Sequence, residues 1–271
     1  MSAVATDVTD EAARDDEVAF SVVRDTAAIA KRNLLGYLRV PQLLVFSTIQ
    51  PVIFVIMFRY VFGGAIGPIR GVPYVDFLMP GIFVQTVVFG SIATAIGLAS
   101  DMKSGLMERF HALPMARSAV LTGRTVADLI RNVLVVILMM VVGFLVGWRI
   151  HTNVLGLLAG AAIVLLFGFA MAWIFATVGL AVGDPESAQA AAFPVLAPLV
   201  FASSAFVPVE KMPGWLQVFA NHQPVSVTVN AVRALTVGGP TGTYVWQALA
   251  WIAGILIVFA TLSVRLYRKT V

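Results

Sequence analysis

"VLGLLAGAAIVLLFGFAMAWIFATVGLAV", residues Val154–Val182, runs for 29 positions without one charged side chain. A helix needs roughly 20 apolar residues to cross the hydrocarbon core of a bilayer, so this stretch reads as a transmembrane helix. Reading outward, apolar runs of comparable length cover Leu43–Phe62, Val75–Ala99, Thr125–Trp148, Ala188–Phe206 and Tyr244–Val264. The expected fold is an all-α polytopic integral membrane protein with six transmembrane helices. Composition agrees. Of 271 residues, 59% are hydrophobic and 12% charged, with a mean hydropathy of +0.92. Soluble domains carry about 25% charged residues, so a water-facing surface cannot be assembled from this chain. The absence of Cys excludes disulfides, thiol nucleophiles and Cys-based metal sites.

The net charge of +4 fits cytoplasmic loops rich in Lys and Arg better than nucleic acid. With both termini in the cytoplasm, the inside holds thirteen cations: Arg14, Arg24, Lys31, Arg32, Arg39, Lys103, Arg109, Arg117, Arg124, Arg131, Arg265, Arg268 and Lys269. The outside holds five, Arg59, Arg70, Arg149, Lys211 and Arg233. Flipping the protein inverts that ratio and violates the positive-inside rule.

Residues 1–19 are acidic and small, the opposite of a signal peptide, and read as a disordered cytoplasmic tail. Residues 20–40 read as an amphipathic interface helix. Val23, Ala27, Ala30, Leu34 and Leu38 recur at helical spacing, with Arg24, Lys31 and Arg32 off that stripe and near lipid headgroups. Pro41 ends it. Such a helix serves as an anchor or as a surface for a cytoplasmic partner.

Between two apolar runs stands "DMKSGLMERFHALPMARSAVLTGR", Asp101–Arg124, with four of the eighteen Lys and Arg residues. Met102, Leu106, Phe110 and Leu113 form one stripe of a short helix over about 101–116. Ser104 suits its start, and Pro114 closes it. The residues leave two readings open: a helix resting on lipid, or a knob for a soluble partner. Further on, Gly183 and Asp184 suit the end of one helix and the cap of the next, with Pro185 at its first position. Pro194 and Pro198 predict a kink. After that span, pieces around Trp215, Leu216, Val218 and Phe219, broken by Pro213 and Pro224, predict two short interfacial or re-entrant helices on the outer side before the last span.

The search for catalysis finds little. There is no P-loop motif, and "FGSIA" around Ser91 lacks the second Gly of a nucleophile elbow. His111, His151 and His222 fall on different sides of the membrane in this topology. "LAVGDP" around Asp184 shares only part of the intramembrane aspartyl-protease signature and reads as a helix cap. Asp76 sits at an outer edge. Asp128, with Arg124 at i−4 and Arg131 at i+3, reads as a structural ion pair near the inner end of its span. No charge lies mid-membrane, which argues against a proton-coupled carrier. The uncharged polar residues Gln50, Gln85 and Asn132 do lie deep. They read as interhelical hydrogen-bond glue or as lining of a translocation path.

The stretch Leu78–Asn132 carries the Met79–Gly81 "MPG", the "VQTVVFGS" run, "ERFHALPMARSAVL" and "GRTVADLIRN". It closely resembles the permease subunits of ABC-2 type exporters, in particular the daunorubicin- and doxorubicin-resistance group. "FVPVEKMPGWLQVFANHQPVSVTVNAVRAL" (206–235) resembles the family's segment before the last span. The resemblance implies that residues 41–271 form an ABC-2 transmembrane domain in the cell membrane with both termini cytoplasmic. It implies no cofactor in this chain. ATP and Mg are bound by a separate cytoplasmic P-loop ATPase, present in two copies. Gly105, Leu106, Glu108, Arg109, Phe110, Leu113 and Pro114 would form the coupling helix onto that ATPase. A second permease half, the same chain or a related one, would complete the path. The implied substrates are hydrophobic or amphipathic: drugs, lipids or lipid-linked glycans. No aromatic run marks a carbohydrate path, so an amphipathic small molecule or lipid is preferred. The alternatives are a stand-alone secondary carrier and a lipid or glycan exporter subunit. An intramembrane enzyme lacks its nucleophile or carboxylate pair.

Overall fold

The computed structural model describes residues 23–37, 39, 41–69, 71–111 and 117–270. Helix α1 spans residues 23–37. α2 (Pro41–Ile56) continues into a π-helical turn, Met57–Phe62, and the short α3 (Gly63–Ile66). α4 (Tyr74–Gly90) and α5 (Ile92–Lys103) form one broken rod, followed by α6 (Leu106–His111). Long helices α7 (Arg117–Leu145) and α8 (Val154–Val182) lead to α9 (Pro185–Phe201). A 3₁₀ turn, Val209–Lys211, precedes α10 (Gly214–His222), α11 (Pro224–Thr236) and α12 (Thr241–Thr270).

Among the described residues, five helical runs are long and apolar enough to cross a membrane: Thr48–Ile66, Tyr74–Lys103, Ala119–Leu145, Val154–Val182 and Thr241–Tyr267. The sixth run expected from the sequence, Ala188–Phe206, is shorter as a helix. α9 has 17 residues, about 25 Å at 1.5 Å per residue. It stops at Phe201, where Ala202 leaves helical geometry and Ser203 and Ser204 turn toward α11. Its start follows the expected punctuation. Gly183 adopts a left-handed φ of 71°, and the Asp184 side chain accepts from the Ser187 N–H at 3.0 Å. The two short helices before the last span are present as α10 and α11. α10 leaves Trp215 76% exposed, whereas α11 is buried against α4, α8 and α12.

α4 is the core element, covered from Tyr74 to Val88. Helices in lipid gain little from hydrophobicity between them and pack through small residues instead. α8 shows this. Its Gly156 faces the Leu235 carbonyl of α11, Gly168 faces Val87 of α4, and Gly179 faces the Ala95 backbone of α5. The α1 helix lies against α7 at Gly123, where an added Cβ would meet Ile29 at 2.7 Å. Its covered face is Asp25, Ile29 and Ala30, so the anticipated stripe is only partly used: Val23 and Ala27 remain exposed.

Contacts fix the two ends of the bundle. Met107 of α6, Leu180 near the end of α8 and Tyr267 near the end of α12 share one buried cluster, which marks the loop end. α1 reaches Asp101 at that same end. Arg149, His151 and Thr236 meet Asp76 or one another at the far end.

Gly179→Ala forces a methyl to 2.5 Å from the Ala95 carbonyl oxygen, where backbone must shift, and overpacking of this kind costs about 1–3 kcal/mol. Gly254, with nothing within 4 Å, is the control, and Gly254→Ala should be neutral or stabilise by up to about 1 kcal/mol. Thermal unfolding of the two variants in detergent checks this.

Candidate functional site: a charge cluster at a broken helix

The rod formed by α4 and α5 breaks at Ser91. The Ser91 N–H is shared between the Val87 and Val88 carbonyls, both at 3.2 Å, and its hydroxyl donates to Val87 at 2.9 Å. The Thr94 N–H then bonds three residues back, to Ser91 at 3.0 Å, so it no longer serves the Gly90 carbonyl. A carbonyl without a partner in a buried, apolar setting is costly. Arg131 of α7 meets the need, donating from Nη2 to the Gly90 oxygen at 2.8 Å. Arg124, two helical turns earlier on α7, donates to the Ala93 oxygen at 3.0 Å. Both approaches need glycine opposite. A side chain at Gly97 would overlap the Arg124 guanidinium, and one at Gly90 would crowd Arg131 and Asn132.

Two buried guanidiniums require a counter-charge. Asp128 lies between them on the same face of α7, 4.0 Å from Arg124 and 3.6 Å from Arg131. It is 1% exposed. Its remaining lone pairs are filled from two other elements. The Tyr37 hydroxyl of α1 donates to one oxygen at 2.6 Å, and the Thr94 hydroxyl of α5 to the other at 2.5 Å. The Arg131 guanidinium also sits over the Tyr37 ring, 5.3 Å from its centre. A second carboxylate, Asp101 at the end of α5, accepts from Arg32 of α1 at 3.0 Å and lies 3.6 Å from Arg124. Two carboxylates and three guanidiniums thus tie α1, α5 and α7 together at the root of the loop. Burial, and then the charge of Asp128, push the Tyr37 phenol up to about 12, so it stays a hydrogen-bond donor at neutral pH.

The loop differs from the single helix expected over 101–116. α5 runs on through Lys103, and Gly105 breaks the rod with a left-handed φ of 67°. A separate α6 begins at Leu106. Ser104 does not cap it; its hydroxyl donates back to the Asp101 carbonyl at 3.2 Å. Leu106 is half-buried, Glu108 is exposed, and Met107, which the stripe left out, is 2% exposed among Leu98, Val120, Leu121 and Trp173. Arg109 and Phe110 lie in the last turns of α6, with their side chains outside the described set. Leu113 and Pro114 lie outside the described residues. Beside the loop, exposed Lys103 donates to Asp184 at 2.7 Å, joining the end of α5 to the cap of α9. That hydrogen bond, with those from Ser187, holds the Asp184 carboxyl down at about 2.

Gln50 and Gln85 come together around one cavity of about 70 Å³ beside the helix break, with Pro51, Thr86, Phe89 and Gly90. Asn132 belongs instead to the charge cluster, accepting from Arg131 at 3.3 Å. At the far end, Asp76 sits at the edge of its rod, as expected, and is buried there. It accepts the Arg149 N–H at 2.9 Å and faces His151 at 2.7 Å. Sequence spacing exposes the Arg124–Asp128–Arg131 triplet. It gives no sign of Tyr37 or Thr94, which reach Asp128 from 91 and 34 residues away. It also assigns Arg32 to lipid headgroups, whereas Arg32 is taken by Asp101.

The ABC-2 type transporter family model matches residues 24–237. The daunorubicin resistance ABC transporter permease protein DrrB1 of Streptomyces coeruleorubidus is 35% identical over 238 residues, which cover 88% of this chain and 84% of that protein. The chain belongs to the ABC-2 type transporter family. The probable doxorubicin resistance permease DrrC of Mycobacterium tuberculosis is 28% identical over 82% of this chain and 80% of its own length. A putative transport permease, ycf38, of Cyanophora paradoxa is 25% identical over 80% and 75%. This ABC-2 permease is thus a multi-pass membrane protein homologous to drug-resistance transporter permeases. The matched region contains the whole charge cluster, the loop and both short helices.

Removing one partner of a buried ion pair leaves the others uncompensated, which costs about 3–5 kcal/mol. Asp128→Asn should therefore destabilise the permease by that order. Tyr37→Phe, which removes one hydrogen bond to a charged group, should cost about 1.5–3 kcal/mol and expose α1 first. Thermal unfolding, with limited proteolysis of α1, checks both.

Proposed function

We propose that this chain is the membrane subunit of an ATP-driven exporter, moving a hydrophobic or amphipathic compound outward across the cell membrane. The work is supplied by a separate P-loop ATPase, in two copies, that binds ATP and Mg. A second permease half, the same chain or a related one, completes the path. The observation that carries this reading is the charge cluster at the root of the loop. α6 protrudes Glu108 while Met107 anchors it, and the segment just before it is clamped through Asp101 to α1 and α7. A push on α6 is thereby delivered to the transmembrane rod that is broken at Ser91. The coupling surface comprises Gly105, Leu106, Glu108, Arg109, Phe110, Leu113 and Pro114.

The bundle contributes an argument for six spans. α1 and the end of α12 both lie at the loop end, so the chain crosses an even number of times. The five long spans then need α9 as a sixth, its 17 helical residues extended by the turn toward Ser204. With the loop end cytoplasmic, thirteen cations lie inside. α1 then rests on the inner membrane face with Val23 and Ala27 toward lipid, and α10 and α11 form the outer interfacial or re-entrant pair.

A stand-alone carrier is the weaker reading, because its working charge should lie mid-membrane and face the path. Here, against the expectation of no charge in mid-membrane, Arg131 lies near the middle of Ala119–Leu145, but it is paired with Asp128 and bound to the Gly90 carbonyl of the broken helix, not left to face a path. The relatives' links to daunorubicin and doxorubicin resistance favour an amphipathic drug-like substrate over a glycan.

Pull-down of the tagged full chain from its native membrane should bring a P-loop ATPase with the wild type. Phe110→Asp should lose it while the permease stays folded. A wild-type chain with no ATPase, under conditions that preserve complexes, would defeat the reading.

A further inference from the structure

The cavity between α2 and α4 holds a polar atom that the fold leaves unsatisfied. Gln85 is 2% exposed, and its Oε1 has no hydrogen-bond partner among the described residues. A buried acceptor left unpaired is destabilising, and a fold retains one where something else pairs with it. Gln85 lines a cavity of about 70 Å³, far more than the roughly 10–15 Å³ that one water requires. Thr86, whose hydroxyl donates to the Ile82 carbonyl at 2.7 Å, lines it as well. Gln50 is exposed on the surface of α2, which places the mouth of the cavity on the flank of the bundle.

The lining has no carboxylate, and the Arg131 guanidinium stands directly behind its Gly90 wall, 2.8 Å from that carbonyl. A cation has nothing to pair with there and a positive charge nearby. An uncharged group that donates a hydrogen bond, a hydroxyl or an amide, meets the Gln85 amide without cost. From this pocket an aromatic stripe leads along α2. Phe54 and Phe58 follow Gln50 at four-residue spacing with ring centres 5.9 Å apart, and Phe62 continues at 5.2 Å through the π-helical turn. Phe206 stacks on Phe58 at 4.6 Å, and Phe201 closes the group.

We propose that the Gln50–Gln85 cavity is a subsite for an uncharged hydroxyl or amide group of the transported amphipathic molecule, whose apolar part lies along the Phe54, Phe58 and Phe62 rings. The proposal rests on the exporter reading above. It names the polarity of the group recognised and the place where it sits.

The test titrates the full chain in nanodiscs with three probes: daunorubicin, which carries an amine; its uncharged N-acetyl derivative; and monooleoylglycerol, a lipid with a hydroxyl head. Wild type should bind at least one uncharged probe, and the one it binds distinguishes a drug-like source from a lipid source. Gln85→Leu should weaken that binding about tenfold while its thermal unfolding midpoint is unchanged or raised, since an unpaired buried acceptor has been removed. Equal affinity in wild type and Gln85→Leu overturns the subsite and leaves a cavity that holds only water. A lowered midpoint with unchanged binding also overturns it and makes Gln85 a packing residue. Daunorubicin binding tenfold tighter than its N-acetyl derivative overturns the uncharged assignment. Failure of wild type to bind either uncharged probe overturns the subsite alone, because the exporter reading is judged by ATPase recovery, which needs no substrate.

Discussion

A carboxylate buried in an apolar bundle must be neutralised and fully hydrogen-bonded, and Asp128 is the point where this permease meets that demand. Its two arginines serve a second purpose at the same time. Arg131 satisfies the carbonyl freed where α4 ends, and Arg124 donates to the Ala93 carbonyl in the first turn of α5. The break at Ser91 is thus held open by charge from α7, and that charge is held in place by Asp128. Removing any one member exposes the desolvation cost of the rest.

This arrangement accounts for the placing of the loop. Asp101 extends the same network to the end of α5 and, through Arg32, to α1. The loop and α1, the parts proposed to touch an ATPase, therefore share one root. The root ends on a helix whose backbone ladder is interrupted inside the bundle, next to the Gln50–Gln85 cavity. Elsewhere the packing is close, with glycines of α8 set against the backbones of α5 and α11. On the proposed reading, motion entering at α6 meets two interruptions, Gly105 and Ser91, with the segment clamped through Asp101 between them.

Much of this was legible in the sequence, because membrane insertion depends on local composition. The span Val154–Val182 matches its helix end to end, and the cap at Asp184 follows from Gly, Asp and Pro in succession. The ion pairs on α7 follow from i−4 and i+3 spacing. What stayed hidden depends on tertiary contact. No periodicity distinguishes Thr94 from other hydroxyls of a span or marks Tyr37 as a partner of Asp128. The break at Gly105 was concealed by an apolar stripe that fits a continuous helix, although Met102 and Leu106 belong to different ones. The rings of Phe54, Phe58, Phe201 and Phe206 are scattered in sequence and meet only in the fold. The length of α9 escaped because apolarity continues past Phe201, while its backbone turns to satisfy Ser203 and Ser204.

The central claim is that loop movement passes from the Asp101 clamp to the transmembrane path through the whole cluster, which needs the hydrogen bonds of Tyr37 and Thr94 into Asp128. The most direct measurement is daunorubicin transported per ATP hydrolysed, in proteoliposomes containing the permease and its ATPase. Wild type is compared with a folded Tyr37→Phe, Thr94→Val double variant that leaves every charge in place. The account predicts that the variant still binds the ATPase and hydrolyses ATP, but moves several-fold less probe per ATP. An unchanged transport ratio in the folded variant would contradict it and reduce the cluster to a structural cap on a broken helix.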